Sequence, residues 1–229
     1  VRGLSEEGGL FVPQSLPQLS GEDIAALAAL PYAQRAERIL SLFLGDFTPE
    51  EVADCAARAY TAERFRSEAI APLHELREGV HILELWHGPT SAFKDMALQM
   101  LPQLLSAALR KTGEAKTVCI LVATSGDTGK AAMEGFADVP QTKILVFYPK
   151  DGVSKVQETQ MVTQDGENVG VCAVVGNFDD AQAGVKRIFS DEAIRATLAD
   201  RGYFLSSANS INWGRILPQV VYYLSLIHI

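Results

Sequence analysis

From residue 79 onward the chain alternates between short apolar runs and amphipathic helical patterns, and no other feature constrains its fold as strongly. Apolar runs cover 80–86, 117–123, 143–148, 169–175 and 203–206. Helical patterns at 94–110, 128–137, 153–163 and 179–189 lie between them, a further helical stretch runs to about 200, and a last helix starts near Ile211. Strands that alternate with helices pair in parallel through crossover connections, so the pattern predicts an α/β protein with helices flanking parallel strands. The strand runs are apolar throughout rather than alternating, as in a sheet covered on both faces.

Residues 1–75 read instead as a mainly helical lead-in. Gly8-Gly9-Leu10-Phe11-Val12-Pro13 looks like a turn and a short extended piece, and helical patterns follow at 33–44 and 49–60. The second has a defined start: Thr48 at N-cap, Pro49 at N1 and Glu51 at N3 form a capping box.

A chain of 229 residues, 48% hydrophobic and 21% charged, buries a core without disulfide or metal staples. The net charge of −8 argues against nucleic acid as the main partner, while leaving room for a phosphorylated small molecule in a locally positive pocket. Cys55, Cys119 and Cys172 are widely spaced, and the last two fall inside apolar runs, so buried reduced thiols are expected and no metal site. No signal-peptide pattern and no apolar run near 18 residues is visible, which predicts a cytoplasmic protein away from the membrane. The chain opens on Val1 and closes at Ser225–Ile229 inside an apolar helical pattern without a cap, so it is read as a fragment.

Chemistry concentrates where strands hand over to helices. His87-Gly88-Pro89-Thr90-Ser91-Ala92-Phe93-Lys94-Asp95 delivers a lysine to a helix mouth just past a strand. Lysine is electrostatically disfavoured at the positive end of a helix and condenses with aldehydes, so its placement there suggests a use, with a surface lysine in a first helical turn as the structural alternative. Thr124-Ser125-Gly126-Asp127-Thr128-Gly129-Lys130 follows a strand and opens a helix, offering close backbone approach and free N–H groups to an anion. A nucleotide P-loop is excluded, since Thr124 stands where that motif needs glycine and Ala131 where it needs Ser or Thr. An ordinary turn capped by Asp127 or Thr128 remains the structural alternative. Asn209-Ser210-Ile211-Asn212-Trp213-Gly214-Arg215 is a second polar cluster after a strand, in which Asn212 and Arg215 would share a helix face and Arg215 could grip a phosphate or carboxylate. Gly176-Asn177-Phe178-Asp179-Asp180 reads as a structural turn with Asp179 at N-cap.

Taken together, Glu7–Pro13, His87–Asp95, Ala123–Ala131, Gly176–Gln182 and Asn209–Arg215 resemble the threonine synthases, pyridoxal-phosphate enzymes of fold type II, over nearly the whole chain. The resemblance implies a tryptophan synthase β-like α/β fold, with an N-terminal region over 1–75 and a pyridoxal-phosphate-dependent catalytic region over 76–229 that is incomplete at its C-terminus. It implies a carbon–oxygen lyase acting on phosphates, which converts O-phospho-L-homoserine and water to L-threonine and phosphate. Lys94 then matches the catalytic lysine that holds pyridoxal 5'-phosphate as a Schiff base, and Ser125, Gly126, Asp127, Thr128 and Gly129 match the cofactor loop. His87, Thr90, Ser91, Asn209, Ser210, Asn212 and Arg215 would line the substrate side. In the family, the glycine-rich loop that holds the cofactor phosphate and the partner of the pyridine nitrogen come after the helix on which this chain ends, and Gly176-Asn177-Phe178 lies too early to be that loop. Part of the cofactor site is therefore expected to be missing. Threonine dehydratase, a cysteine synthase-like lyase and a non-catalytic phosphate-ligand-binding relative stay open as alternatives, as does the oligomeric state.

Overall fold

The fold follows from two apolar patterns, one helical and one of strands, which build three packed cores in a computed structural model that describes residues 5 and 9–228. Of the lead-in, Glu7 and Gly8 lie outside the described residues, and Leu10, Phe11 and Val12 are exposed. Helices α1 (Gly21–Ala28), α2 (Tyr32–Ser41), α3 (Pro49–Ala59) and α4 (Ala62–Phe65) follow. The capping box at Thr48 and Glu51 forms as the sequence predicts, and a second at Ser20 and Asp23 opens α1.

Leu73–Arg77 (β1) and Val80–Leu83 (β2) then pair antiparallel as a hairpin, turning at Gly79, whose φ is 72°. This corrects the expectation that 80–86 begins the parallel series. The partner is the charged segment Leu-His-Glu-Leu-Arg next to it, which lacks a strand-like apolar run. The helix expected over 94–110 is divided into α5 (Asp95–Leu98) and α6 (Leu101–Thr112). Pro102 has no N–H to give the Leu98 carbonyl, so the hydrogen-bond ladder cannot run through.

The remainder is β3 (Thr117–Ala123), α7 (Asp127–Phe136), β4 (Thr142–Pro149), α8 (Lys155–Val162), β5 (Val169–Val174), α9 (Phe178–Ser190), α10 (Glu192–Asp200), β6 (Tyr203–Ser207) and α11 (Trp213–Leu224). Trp213 rather than Ile211 opens the last helix. The strands form a four-stranded parallel sheet in the order β5-β4-β3-β6. Central β3 is buried along most of its length, as a doubly covered strand should be. Edge strand β5 is only partly covered, and Cys172 on it is exposed, which corrects the expectation of a buried thiol there; Cys55 is buried, Cys119 is intermediate and all three are free. No helix among the described residues is long and apolar enough to cross a membrane.

One core packs the N-terminal helices against Met96, Met100, Leu104, Leu217 and Val221, residues of the segments that flank the sheet. A second lies between the sheet and α6 and α7, and a third joins Leu121 and Ala123 of the sheet to Ala181 and Val185 of α9. The first core also fixes α5. The Tyr60 hydroxyl at the end of α3 donates to the Met96 carbonyl at 2.7 Å, and burial pushes that hydroxyl's pKa well above its ordinary value. Tyr60→Phe removes this donor from a buried carbonyl, and its expected cost is about 1–2 kcal/mol in denaturant unfolding, with the transition slope unchanged.

Candidate active site

The chain order of the sheet creates its own crevice. The connection leaving β3 runs to β4 on one side, whereas β6 returns on the other, so the loops after β3 and β6 diverge at the C-terminal edge of neighbouring strands. Open α/β sheets bind ligands at such a switch point. Both polar clusters read from the sequence leave the sheet here, at Thr124 and at Asn209.

Asn209 closes the divergence by bonding to the backbone at the end of β3. Its Nδ2 donates to the Ala123 carbonyl at 3.1 Å and its Oδ1 accepts the Ala123 N–H at 3.3 Å. Asn212 is the N-cap of α11, with Oδ1 accepting from the Gly214 N–H at 2.9 Å and Nδ2 donating to the Ser207 carbonyl at 2.8 Å. These bonds tie the loop to the sheet. Ser210 is exposed between them.

Thr124 caps the glycine loop from below. Its hydroxyl oxygen accepts the N–H groups of Gly126 at 3.0 Å and Gly129 at 2.9 Å, and Gly126 holds the N-cap position of α7. Neither Asp127 nor Thr128 is the cap that the alternative of an ordinary turn would require. Because the Thr124 hydroxyl serves those N–H groups, the Asp127 carboxylate is available for side-chain partners, and as an acid in the first turn it is favoured by the positive end of α7. Asp127 Oδ2 accepts from Lys94 Nζ at 3.3 Å, and Oδ1 accepts from Gln157 Nε2 of α8 at 2.5 Å. The Lys94 side chain is 20% exposed, with its ammonium 4.5 Å above the centre of the Phe93 ring. Ser125 is exposed beside this group, and Thr128 half-buried. The turn at Gly176 needs a similar correction: Asn177, not Asp179, is the N-cap of α9, because its carbonyl oxygen reaches the N–H groups of both Asp179 and Asp180.

Lys94 is aimed by a buried clasp. The Asp95 carboxylate accepts the Thr90 N–H at 2.8 Å and the Thr90 hydroxyl at 2.7 Å. Burial raises the Asp95 pKa, and the two bonds from Thr90 oppose that rise. Gly88 makes the clasp possible, since a Cβ there would run into the Asp95 side chain. Thr90 is thus committed to shaping the loop. His87 Nε2 lies 2.6 Å from Glu84 Oε2, its ring stacks on Trp86, and Ser91 is exposed with φ at 59°.

Arg215 sits elsewhere on the same cluster, 5% exposed on α11. Its Nη1 donates to Gln219 Oε1 at 2.7 Å, its Nε has no partner, and burial lowers its pKa. Among the described residues no carboxylate forms an ion pair with it. Sequence reasoning brought Lys94 and the glycine loop together, but it missed Thr124 as the cap, Asp95 as the clasp, and Gln157 and Glu84 altogether. Gln157 had a readable signal: Ser154-Lys155-Val156-Gln157 is a capping-box pattern.

Fold and site together define an α/β protein of fold type II, with a lysine and a glycine loop at the switch point of a parallel sheet. The model of the threonine synthase N-terminus matches residues 1–60. The threonine synthase of Pseudomonas aeruginosa is 43% identical over 97% of this chain and 46% of its own length. A PLP-bound threonine synthase from Brucella melitensis superposes with a TM-score of 0.85 at 40% identity, covering 98% of this chain and 47% of that one. Yeast threonine synthase gives a TM-score of 0.84 at 36% identity, covering 98% and 45%. By sequence and by structure the chain is similar to threonine synthases over 97–98% of its own length. It spans about half the length of the curated relatives it matches.

Proposed function

We propose that this chain supplies the lysine-bearing part of a pyridoxal-phosphate-dependent threonine synthase, which turns O-phospho-L-homoserine and water into L-threonine and phosphate. The observation that carries this reading is Lys94, largely enclosed and paired with Asp127 at the opening turn of α7. The donor set fits the cofactor: an amine for its aldehyde, a neighbouring carboxylate to orient the amine, and, for anionic or polar atoms, the Ser125 hydroxyl with the first-turn N–H groups that Thr124 does not take.

Pyridoxal phosphate, when bound, supplies an electron sink for the charge left as a proton departs from carbon. Lys94 would hold it through Nζ, and the same amine is the group positioned to take up and return protons. Asp127 directs Nζ toward the sheet edge. Ser125, Gly126, Thr128 and Gly129 form the cofactor-facing loop, in which Gly126, with φ at 141°, makes a turn that a side chain would strain. Thr90, Asn209 and Asn212 hold the surrounding loops in place, and His87, Ser91, Ser210 and Arg215 form the substrate side. Arg215 is assigned to the substrate's phosphate or carboxylate because it is a buried cation whose hydrogen-bond partner, Gln219, is neutral. Arg215→Ala is expected to raise KM about tenfold or more with a smaller change in kcat, and an unchanged KM would assign Arg215 to packing alone.

The test is a product assay on the full-length protein with O-phospho-L-homoserine, threonine and O-acetylserine offered separately. Equal yields of threonine and phosphate from the first support the proposal. A keto acid from threonine, or cysteine formed from O-acetylserine and sulfide, with no turnover of phosphohomoserine, would replace it by another lyase activity.

A further inference from the structure

Gln157 sits on α8, away from the loop that bears Lys94, yet it forms the second contact of the carboxylate that Lys94 touches. We infer that Gln157 is a positioning residue for Lys94 that acts through Asp127. This rests on the reading of Lys94 as the attachment point for pyridoxal phosphate.

The orientation of the Gln157 amide is fixed by its own helix. As N3 of the α8 capping box, Gln157 turns Oε1 toward Ser154, accepting from the Ser154 hydroxyl at 3.0 Å and the Ser154 N–H at 3.4 Å. With Oε1 committed there, Nε2 faces the other way and donates to Asp127 Oδ1 at 2.5 Å. That bond holds one carboxylate oxygen and leaves Oδ2 toward Lys94 Nζ at 3.3 Å. Space for the amide comes from Gly126: a Cβ at that position would collide with the Gln157 side-chain amide. The cap of α8, the missing side chain at 126 and the acid at the first position of α7 therefore converge on one rotamer of Asp127.

Residue chemistry separates the two duties of Gln157. Glutamate at N3 closes a capping box as well as glutamine does. It offers no donor to Asp127 and would bring a second carboxylate against it, so only an amide serves both helices.

Gln157→Glu is therefore the informative variant, because it keeps the α8 cap and removes the donor. The full-length protein is mixed with pyridoxal phosphate, reduced with borohydride at timed intervals, and the labelled lysine is located by peptide mass. Gln157→Glu is expected to slow labelling of Lys94 about tenfold, the factor that the loss of one hydrogen bond to a charged group allows, under conditions where parent and variant are both fully folded. In an Asp127→Ala background the same change should have no further effect, as required of a residue that acts through Asp127. Equal labelling rates in parent and Gln157→Glu would overturn the inference, as would an undiminished effect of the change without Asp127. A fall in labelling confined to conditions where the variant is partly unfolded would assign the effect to stability and overturn the inference. If the parent is not labelled at Lys94, the cofactor reading itself fails and this inference falls with it.

Discussion

Lys94→Ala is expected to abolish threonine formation, with a fall of at least about a thousandfold in kcat, and to remove the visible absorption of lysine-bound cofactor in the full-length enzyme. The size of the effect follows from the site. Lys94 Nζ is the amine that pairs with Asp127 at the opening of α7, where it is 20% exposed. Lys130, the other lysine of the glycine loop, is paired with Glu134 and Gln164. Loss of absorption without unfolding is the signature of a missing attachment point. A retained band at the parent wavelength would show that another lysine holds the cofactor.

Asp95→Ala carries the second large effect, on stability as well as on the site. Asp95 is fully buried and accepts two hydrogen bonds from Thr90, so its removal leaves a backbone N–H and a hydroxyl without their partner. The expected cost is about 3 kcal/mol in denaturant unfolding, the sum of two bonds to a charged acceptor reduced by relief from burying that charge. Release of the Gly88–Lys94 turn should also lower cofactor attachment at Lys94, even at temperatures where the variant is fully folded. Thr90→Val separates the two contributions, because it keeps the N–H bond to Asp95 and removes the hydroxyl bond. A cost below about 1 kcal/mol for Asp95→Ala would mean that the turn holds without the clasp.

The parallel sheet was legible because its strands are apolar runs: the 117–123 run coincides with β3, and the runs at 143–148, 169–175 and 203–206 each match a strand within a residue or two. The hairpin was misread because β1 is Leu-His-Glu-Leu-Arg, whose charges face solvent and hide a strand from a search for apolar runs. The break between α5 and α6 was visible at Pro102 but was overridden by a long apolar pattern. Around the site, Lys94 and the glycine loop stood out through their positions at strand-to-helix junctions. The supporting bonds did not, since they join residues far apart in the chain: Lys94 to Asp127, Asp127 to Gln157, Ala123 to Asn209. Local sequence carries half of each such pair. Caps were the exception, and the two candidates that do not cap, Asp127 and Asp179, share a cause. In each case a polar residue two or three positions earlier reached the N–H groups from outside the helix.

Peptide mass mapping after borohydride reduction of the protein with pyridoxal phosphate tests the central claim most directly. The account predicts a single pyridoxyl adduct, on the peptide that contains Lys94, and its disappearance in Lys94→Ala. An adduct on Lys130, or one spread evenly over surface lysines and unaffected by Lys94→Ala, would contradict it.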